Sequence, residues 1–328
     1  MAHKEKLMQR AMDIIEKRGQ KAVSKARQLA QLDPAEYEPL SGAIKYFMDE
    51  FWYDYLHPAL ISFACEALGG NVEDTINIGA ALVLLAGAAD IHDDIIDESK
   101  IKKPYVTVYG KFGRDTAMLT GDSLLMLGLY VLSEEVKLVS EEKQRLILES
   151  VKQSYLKLCT GEAREAGWKG KTNISKEDYL EIIGKKSAAS ETATRIGAIF
   201  GGGTEREIEL LGHYGRIYGV LMTIRNEFID MFEPEELMNR YRNECLPLPI
   251  LIAFQDNSIK AEIVQLLEKE LTEKSVERIL DLSIDFRETQ ALIEEMKKWA
   301  DREISNLPTA YRCREDLVLL LQALLEDL

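Results

Sequence analysis

Apolar positions recur every three to four residues along almost the whole chain. In KLMQRAMDIIEKRG, Leu7, Ala11, Ile14 and Ile15 fall on one side of a helix. The segments EREIELLGHYGRIYGVLMTIRNEFIDMF, KSVERILDLSIDF, TQALIEEMKKWADREISNL and REDLVLLLQALLEDL carry the same spacing. DYLEIIGKKSAASETATRIGAIF reads as one helix, with Asn173 or Ser175 placed to cap its start. The strict alternation that marks strands is almost absent. The pattern predicts an all-α bundle of ten or more helices, and no short repeat suggests a solenoid.

Composition narrows this picture. The 328 residues are 46% hydrophobic, which is enough for a large core, and the 21 glycines and 8 prolines form no linker, so residues 1–328 are expected to make a single domain. A formal charge of −15 speaks against nucleic acid as a partner and fits a soluble protein. Cys65, Cys159, Cys245 and Cys313 show no paired spacing and read as isolated reduced thiols. The N-terminus has no apolar leader core, and no apolar run free of charge reaches the roughly 18 residues a spanning helix needs. No stable membrane insertion and a cytoplasmic location are therefore expected.

The run IGAALVLLAGA ends in ADIHDDIIDES, which puts Asp90, Asp93, Asp94 and Asp97 at the end of a core-like helix. Residues three, four and seven apart share a helix face, so these carboxylates crowd together. The helix dipole also disfavours anions at a C-terminal end. A sequence that tolerates both has cations to offset them, and hard oxygen ligands of this kind suit Mg2+. A solvated acidic helix end is the alternative. Lys100, Lys102 and Lys103 follow at once, with Lys111 and Arg114 beyond. Carboxylate-held metal beside ammonium groups makes a site for a diphosphate.

At these residues the chain resembles the trans-isoprenyl diphosphate synthase (polyprenyl synthetase) family. HDDIIDES (92–99) is similar to its first aspartate-rich motif. ACEALGG (64–70), TGDSLLMLGLYVLS (120–133), GEA (161–163), YLEIIGKKSAA (179–189), YGRIYG (214–219) and LPLPILIAF (246–254) follow in the family's order. The resemblance implies an isoprenoid-synthase fold, a deep cavity between helices, and two acidic motifs facing each other across its mouth. It assigns Asp93, Asp94, Asp97, Lys102, Lys103, Lys186 and Ser187 to the half that holds an allylic prenyl diphosphate with Mg2+. Glu162 stands where the family has a metal-side glutamine. Glu162 and Glu165 could reach the metal cluster or pair with Arg164. Ala89 and Ala88, four and five residues before Asp93, replace the bulky groups that stop chain growth, which implies room for a long tail. The family's habit also implies a homodimer.

The departures are as specific as the match. Where the family has G-G-K-R-x-R-P to hold isopentenyl diphosphate, this chain has WYDYLHP (52–58), with Asp54, Tyr55 and His57 in the basic positions. A carboxylate there repels a diphosphate. The second motif, F-Q-x-x-D-D-x-x-D, is MTIRNEFID (222–230), leaving Asn226, Glu227 and Asp230 as metal candidates. A lysine expected before the LP pair is lost in RNEC (242–245). The charge-dense stretch IRNEFIDMFEPEELMNRYRNE reads as a mobile surface flap with internal ion pairs. Three functions follow: Mg2+-dependent prenyl transfer, with an acceptor that need not be isopentenyl diphosphate; a terpene-cyclase-like lyase; or a regulatory subunit of a heteromeric synthase. Metal at Asn226–Asp230 would mark catalysis, and a salt-bridged second motif the subunit.

Overall fold

The computed structural model describes residues 4–31, 38–52, 54–102 and 104–326. Among them the chain forms sixteen α-helices. The first four are α1 (Lys4–Leu29), α2 (Glu38–Tyr46), α3 (Leu56–Ala67) and α4 (Ile76–Ile96). A two-residue antiparallel pair follows, β1 (Ile101–Lys102) with β2 (Tyr105–Val106), in the register Ile101 to Val106 and Lys102 to Tyr105. Then come α5 (Val108–Phe112), α6 (Arg114–Glu135), α7 (Glu141–Ala166), α8 (Lys176–Lys186), α9 (Ala188–Phe200) and α10 (Glu205–Ile229). The C-terminal part holds α11 (Pro234–Asn243), α12 (Leu248–Ala253), α13 (Asn257–Leu267), α14 (Glu273–Ile284), α15 (Arg287–Asn306) and α16 (Arg314–Leu324).

Helix α4 is apolar all round, so it is buried all round. It packs most extensively on α6, with α1 and α3 on its other sides. Small residues permit this. Leu85 lies over Gly128 of α6, His92 over Gly121, and the rings of Phe47 and Trp52 cover Gly87. Residues 72–96 and 114–138 are long and apolar enough to cross a membrane by length and composition once one or two charges are allowed, although neither holds a charge-free run of 18 residues. The aspartates of α4 cluster in its last turns, so a window placed before them carries little charge. In the fold 67% of the first window is buried but only 39% of the second.

The predicted helix over 178–200 is broken at Ser187, into α8 and α9. At the break the Ser187 N–H reaches Ile183 O and Lys185 O, and its hydroxyl donates to Ile183 O at 2.7 Å. Ser175, of the two candidates, caps α8 by accepting from Asp178 N. Thr204 and Glu207 form a reciprocal capping box at the start of α10. All four cysteines are free thiols, with Cys159 exposed and the others buried.

Candidate active site

The carboxylates gather at the C-terminal ends of three helices: Asp90, Asp93 and Asp94 on α4 with Asp97 just past its end, Glu162 and Glu165 on α7, and Glu227 on α10 with Asp230 in the turn after it. Each helix end adds its own negative partial charge. Three cations answer this, and each holds at least two carboxylates.

The first is Lys102, carried in by β1. Its Nζ donates to Asp90 Oδ1 at 3.1 Å and lies 2.8 Å from Asp94 Oδ1, an ion-pair distance off the hydrogen-bonding direction. Asp90 Oδ2, Asp93 Oδ1 and both oxygens of Asp94 are consequently buried without a hydrogen-bond partner. Burial pushes the Asp94 carboxyl up to about 7, against the pull of Lys102. Burial and the neighbouring Asp93 likewise push Asp97 up to about 7. Asp90, the residue outside the family pattern, therefore serves as an anchor for Lys102. Lys103 lies outside the described residues.

The second is Lys186, the last residue of α8. It lies 3.0 Å from Glu162 Oε2 and pairs closely with Glu165. Glu162 and Glu165 thus turn inward to the cluster, while Arg164 pairs with Glu181 at 2.7 Å instead. Burial pushes Glu162 up to about 8. Glu165, equally enclosed, is nevertheless lowered, because Lys186 and Arg240 outweigh burial.

The third is Arg240 of α11, which the residue pattern did not single out. It is 7% exposed. Its guanidinium donates to Asp230 Oδ2 at 3.0 Å, Glu227 Oε2 at 2.9 Å, the Tyr179 hydroxyl at 2.8 Å and Cys245 O at 2.7 Å. Glu244 lies 3.4 Å away. The flap reading of this stretch is thereby revised: its central ion pairs are buried. A signal was present, since Arg240 stands three residues after the buried Leu237 on one helix face. Glu227 Oε2 also accepts the Tyr179 hydroxyl at 2.6 Å and Leu248 N at 3.1 Å. Glu227 and Asp230, two of the expected metal candidates, are thus both paired with a guanidinium, and Asn226 is exposed. Ser187 is also revised: it is buried, with its hydroxyl turned back on α8 rather than toward the cluster.

Asp54 and His57 explain the altered WYDYLHP stretch. Asp54 Oδ1 accepts from Leu56 N at 2.9 Å and His57 N at 3.1 Å, capping the start of α3. Its other oxygen meets His57 Nδ1 at 2.5 Å. Burial alone would lower the His57 pKa, but the Asp54 charge and hydrogen bond outweigh it and raise it. Burial would raise Asp54, and His57 with the capping N–H groups lowers it. A raised histidine stabilises fully below its ordinary 6.5 and loses this as pH climbs through its folded value. A lowered carboxylate stabilises above its ordinary 3.8 and loses this as pH falls through its folded value. The stability deficit of His57→Gln is therefore expected to be larger at about pH 5.5 than at about pH 9.5. Equal urea midpoint shifts at both would contradict the ion pair.

The polyprenyl synthetase family model matches residues 55–283. The chain belongs to the polyprenyl synthetase family. This is a family of prenyl-transferring enzymes, and its members' names bear that out. The chain is 30% identical over 228 residues to a short chain isoprenyl diphosphate synthase of Methanothermobacter thermautotrophicus, covering 69% of this chain and 66% of that one, just under two thirds of its length. It is 29% identical over 259 residues to a geranylgeranyl diphosphate synthase of Methanosarcina mazei, covering 75% and 78%. Its fold superposes on a geranylgeranyl pyrophosphate synthetase from Pyrococcus horikoshii Ot3 with a TM-score of 0.83 at 22% identity, covering 98% of both chains. The fold is thus the all-α isoprenoid-synthase fold.

Proposed function

We infer that this polyprenyl synthetase ionises an allylic prenyl diphosphate and transfers its prenyl group with the help of Mg2+. The observation that carries this is the set of buried carboxylate oxygens at the end of α4: Asp90 Oδ2, Asp93 Oδ1 and Asp94 Oδ2 have no hydrogen-bond partner, and Asp94 Oδ1 has only its ion pair with Lys102. Such oxygens are costly to leave unsatisfied, and a hard cation satisfies them. Among the described residues no three metal-binding side chains form a ready-made cage. Mg2+ needs none, because it usually takes one or two carboxylates and fills its shell with water and substrate phosphate. Asp93, Asp94 and Asp97 would hold it. When bound, it neutralises the charge that develops on a departing diphosphate. Lys102 and Lys186 add fixed positive charge beside the same group, and Asp90 keeps Lys102 in place. Ala88 is fully buried on the α4 face that also carries Leu85 and His92, and Ala89 is half-buried. That face packs against α6, so the reading of a long tail rests on the family resemblance alone.

The acceptor half supports something other than the usual arrangement. Asp54 and His57 neutralise each other where the family pattern has three basic groups. A free diphosphate gains little attraction there. The salt-bridged second motif favours one further reading, a subunit that works beside a catalytic partner.

Diphosphate release from geranylgeranyl diphosphate, with and without Mg2+ and isopentenyl diphosphate, tests this. Mg2+-dependent release is expected. A hydrocarbon or alcohol formed without isopentenyl diphosphate would select the lyase, and elongation only in its presence would show that it still binds. No release in any mixture would overturn catalysis and leave the subunit reading. Met118, Leu119, Met126, Leu129 and Tyr130 of α6 are exposed, Met126 by 67%. This apolar face supports a homodimer, and the same preparation is expected to scatter light at twice the chain mass of 37.2 kDa. A monomer mass would discard it.

A further inference from the structure

We propose that Arg240 is a resident cation for the second acidic motif, holding Glu227 and Asp230 in place of a metal ion. Four observations converge on it. Arg240 is buried, and its guanidinium contacts Glu227, Asp230 and Glu244 within 3.4 Å, with Glu165 at 3.9 Å. Its donors are distributed over a fixed plane, as a guanidinium requires: Nε on Cys245 O, one terminal nitrogen on Asp230, the other on Glu227 and Tyr179. Glu227 Oε2 already accepts three donors, Arg240, Tyr179 and Leu248 N, which leaves that oxygen no room for a metal. Finally, α11 is built to deliver the arginine: Leu237, one turn earlier on the same face, is fully buried and anchors the helix.

A divalent ion placed on Glu227 and Asp230 would sit beside this guanidinium and be repelled by it. With Glu227 Oε2 filled by three donors and Asp230 Oδ2 paired, the ions the chain binds are expected on the Asp93 side. Arg240 acts through the carboxylates it holds and is a positioning residue. The inference rests on the reading that metal and diphosphate bind at the first motif, and its test separates the two.

The probe is Mn2+ titrated in the presence of inorganic diphosphate, with free Mn2+ counted by electron paramagnetic resonance. Glu227→Gln and Asp230→Asn, with Arg240 in place, are expected to keep the wild-type number of bound Mn2+ ions and an affinity within twofold. Arg240→Gln is expected to gain a bound ion, or at least tenfold in affinity, and Arg240→Gln with Asp230→Asn to lose that gain. Arg240→Lys, which keeps the charge, is expected to behave as wild type in ion count. Loss of an ion in either carboxylate variant overturns the proposal, as does a folded Arg240→Gln protein that gains nothing. If Arg240→Gln does not fold, the carboxylate variants decide alone. If the wild type binds no Mn2+ at all, the metal reading of the first motif fails, and a gain in Arg240→Gln still supports the arginine's role.

Discussion

Replacing Asp93 and Asp94 together by alanine is expected to abolish Mg2+-dependent diphosphate binding while the protein stays folded. The two carboxylates supply most of the unpartnered buried oxygens at the end of α4. Without them only Asp97 remains of the three proposed metal residues. Removing a preorganised electrostatic contact costs about 10²–10³-fold in turnover, so losing the whole metal anchor should cost at least about 10³-fold. The fold should tolerate this because α4 is held by its apolar length, with Ile78, Leu84, Ala88 and Ile91 fully buried. The substitution also removes like charges from a helix C-terminus, which weakens no helix. Calorimetric titration of the variant with inorganic diphosphate and Mg2+ is the check. Binding equal to wild type, in protein with unchanged circular dichroism, would sink the assignment of this motif.

The largest expected loss of stability lies at Gly197, where α9 crosses α3. A Cβ there would stand 2.2 Å from Ile61 O and 2.8 Å from the Ala64 Cβ. The first obstacle is backbone, so a side-chain rotation cannot relieve it. Overpacking of this kind costs about 1–3 kcal/mol, and Gly197→Val, with two further carbons, should reach or pass about 3 kcal/mol. Gly184, inside α8, is the contrasting position, because an added Cβ there meets nothing within 4 Å. Gly184→Ala should gain about 0.4–1 kcal/mol by restricting the unfolded chain. Urea midpoints of the two variants should move in opposite directions. A neutral Gly197→Val would mean that the two helices lie farther apart.

The helices and the first acidic motif were legible because local spacing specifies both. IGAALVLLAGA followed by Asp90, Asp93, Asp94 and Asp97 puts an apolar helix and its charged end in one short stretch. The cations were only half legible. Lys102 and Lys186 sit near family motifs, yet the anchoring role of Asp90 depends on a chain reversal through β1 that no periodicity reports. Arg240 was only faintly legible: it shares a helix face with Leu237, but its partners Glu227 and Asp230 lie on the far side of a helix break and Tyr179 lies 61 residues away, and an arginine among many charges reads as surface. The break at Ser187 escaped because the apolar spacing continues across it and no glycine or proline stands at it. Asp54 looked like a repulsive intruder. Its position two residues before Leu56 N, as a helix cap, needed the start of α3 to be known.

That cap bears on how this protein could have come from, or return to, a chain with a basic pocket at 52–58. Changing Asp54 to lysine would not simply restore one positive charge. It would strip the α3 cap, a loss of about 0.5–2 kcal/mol, and set a cation beside a buried His57 that has lost the carboxylate favouring its charged form. The first step back is therefore downhill in stability before any phosphate contact is regained. A viable path must change residue 57 or recap α3 first, so the order of substitutions matters, and neighbours in contact do not contribute additively. Asp54 and His57 would thus act as a ratchet: with the pair in place, a single change at either position costs folding stability before it restores any phosphate contact.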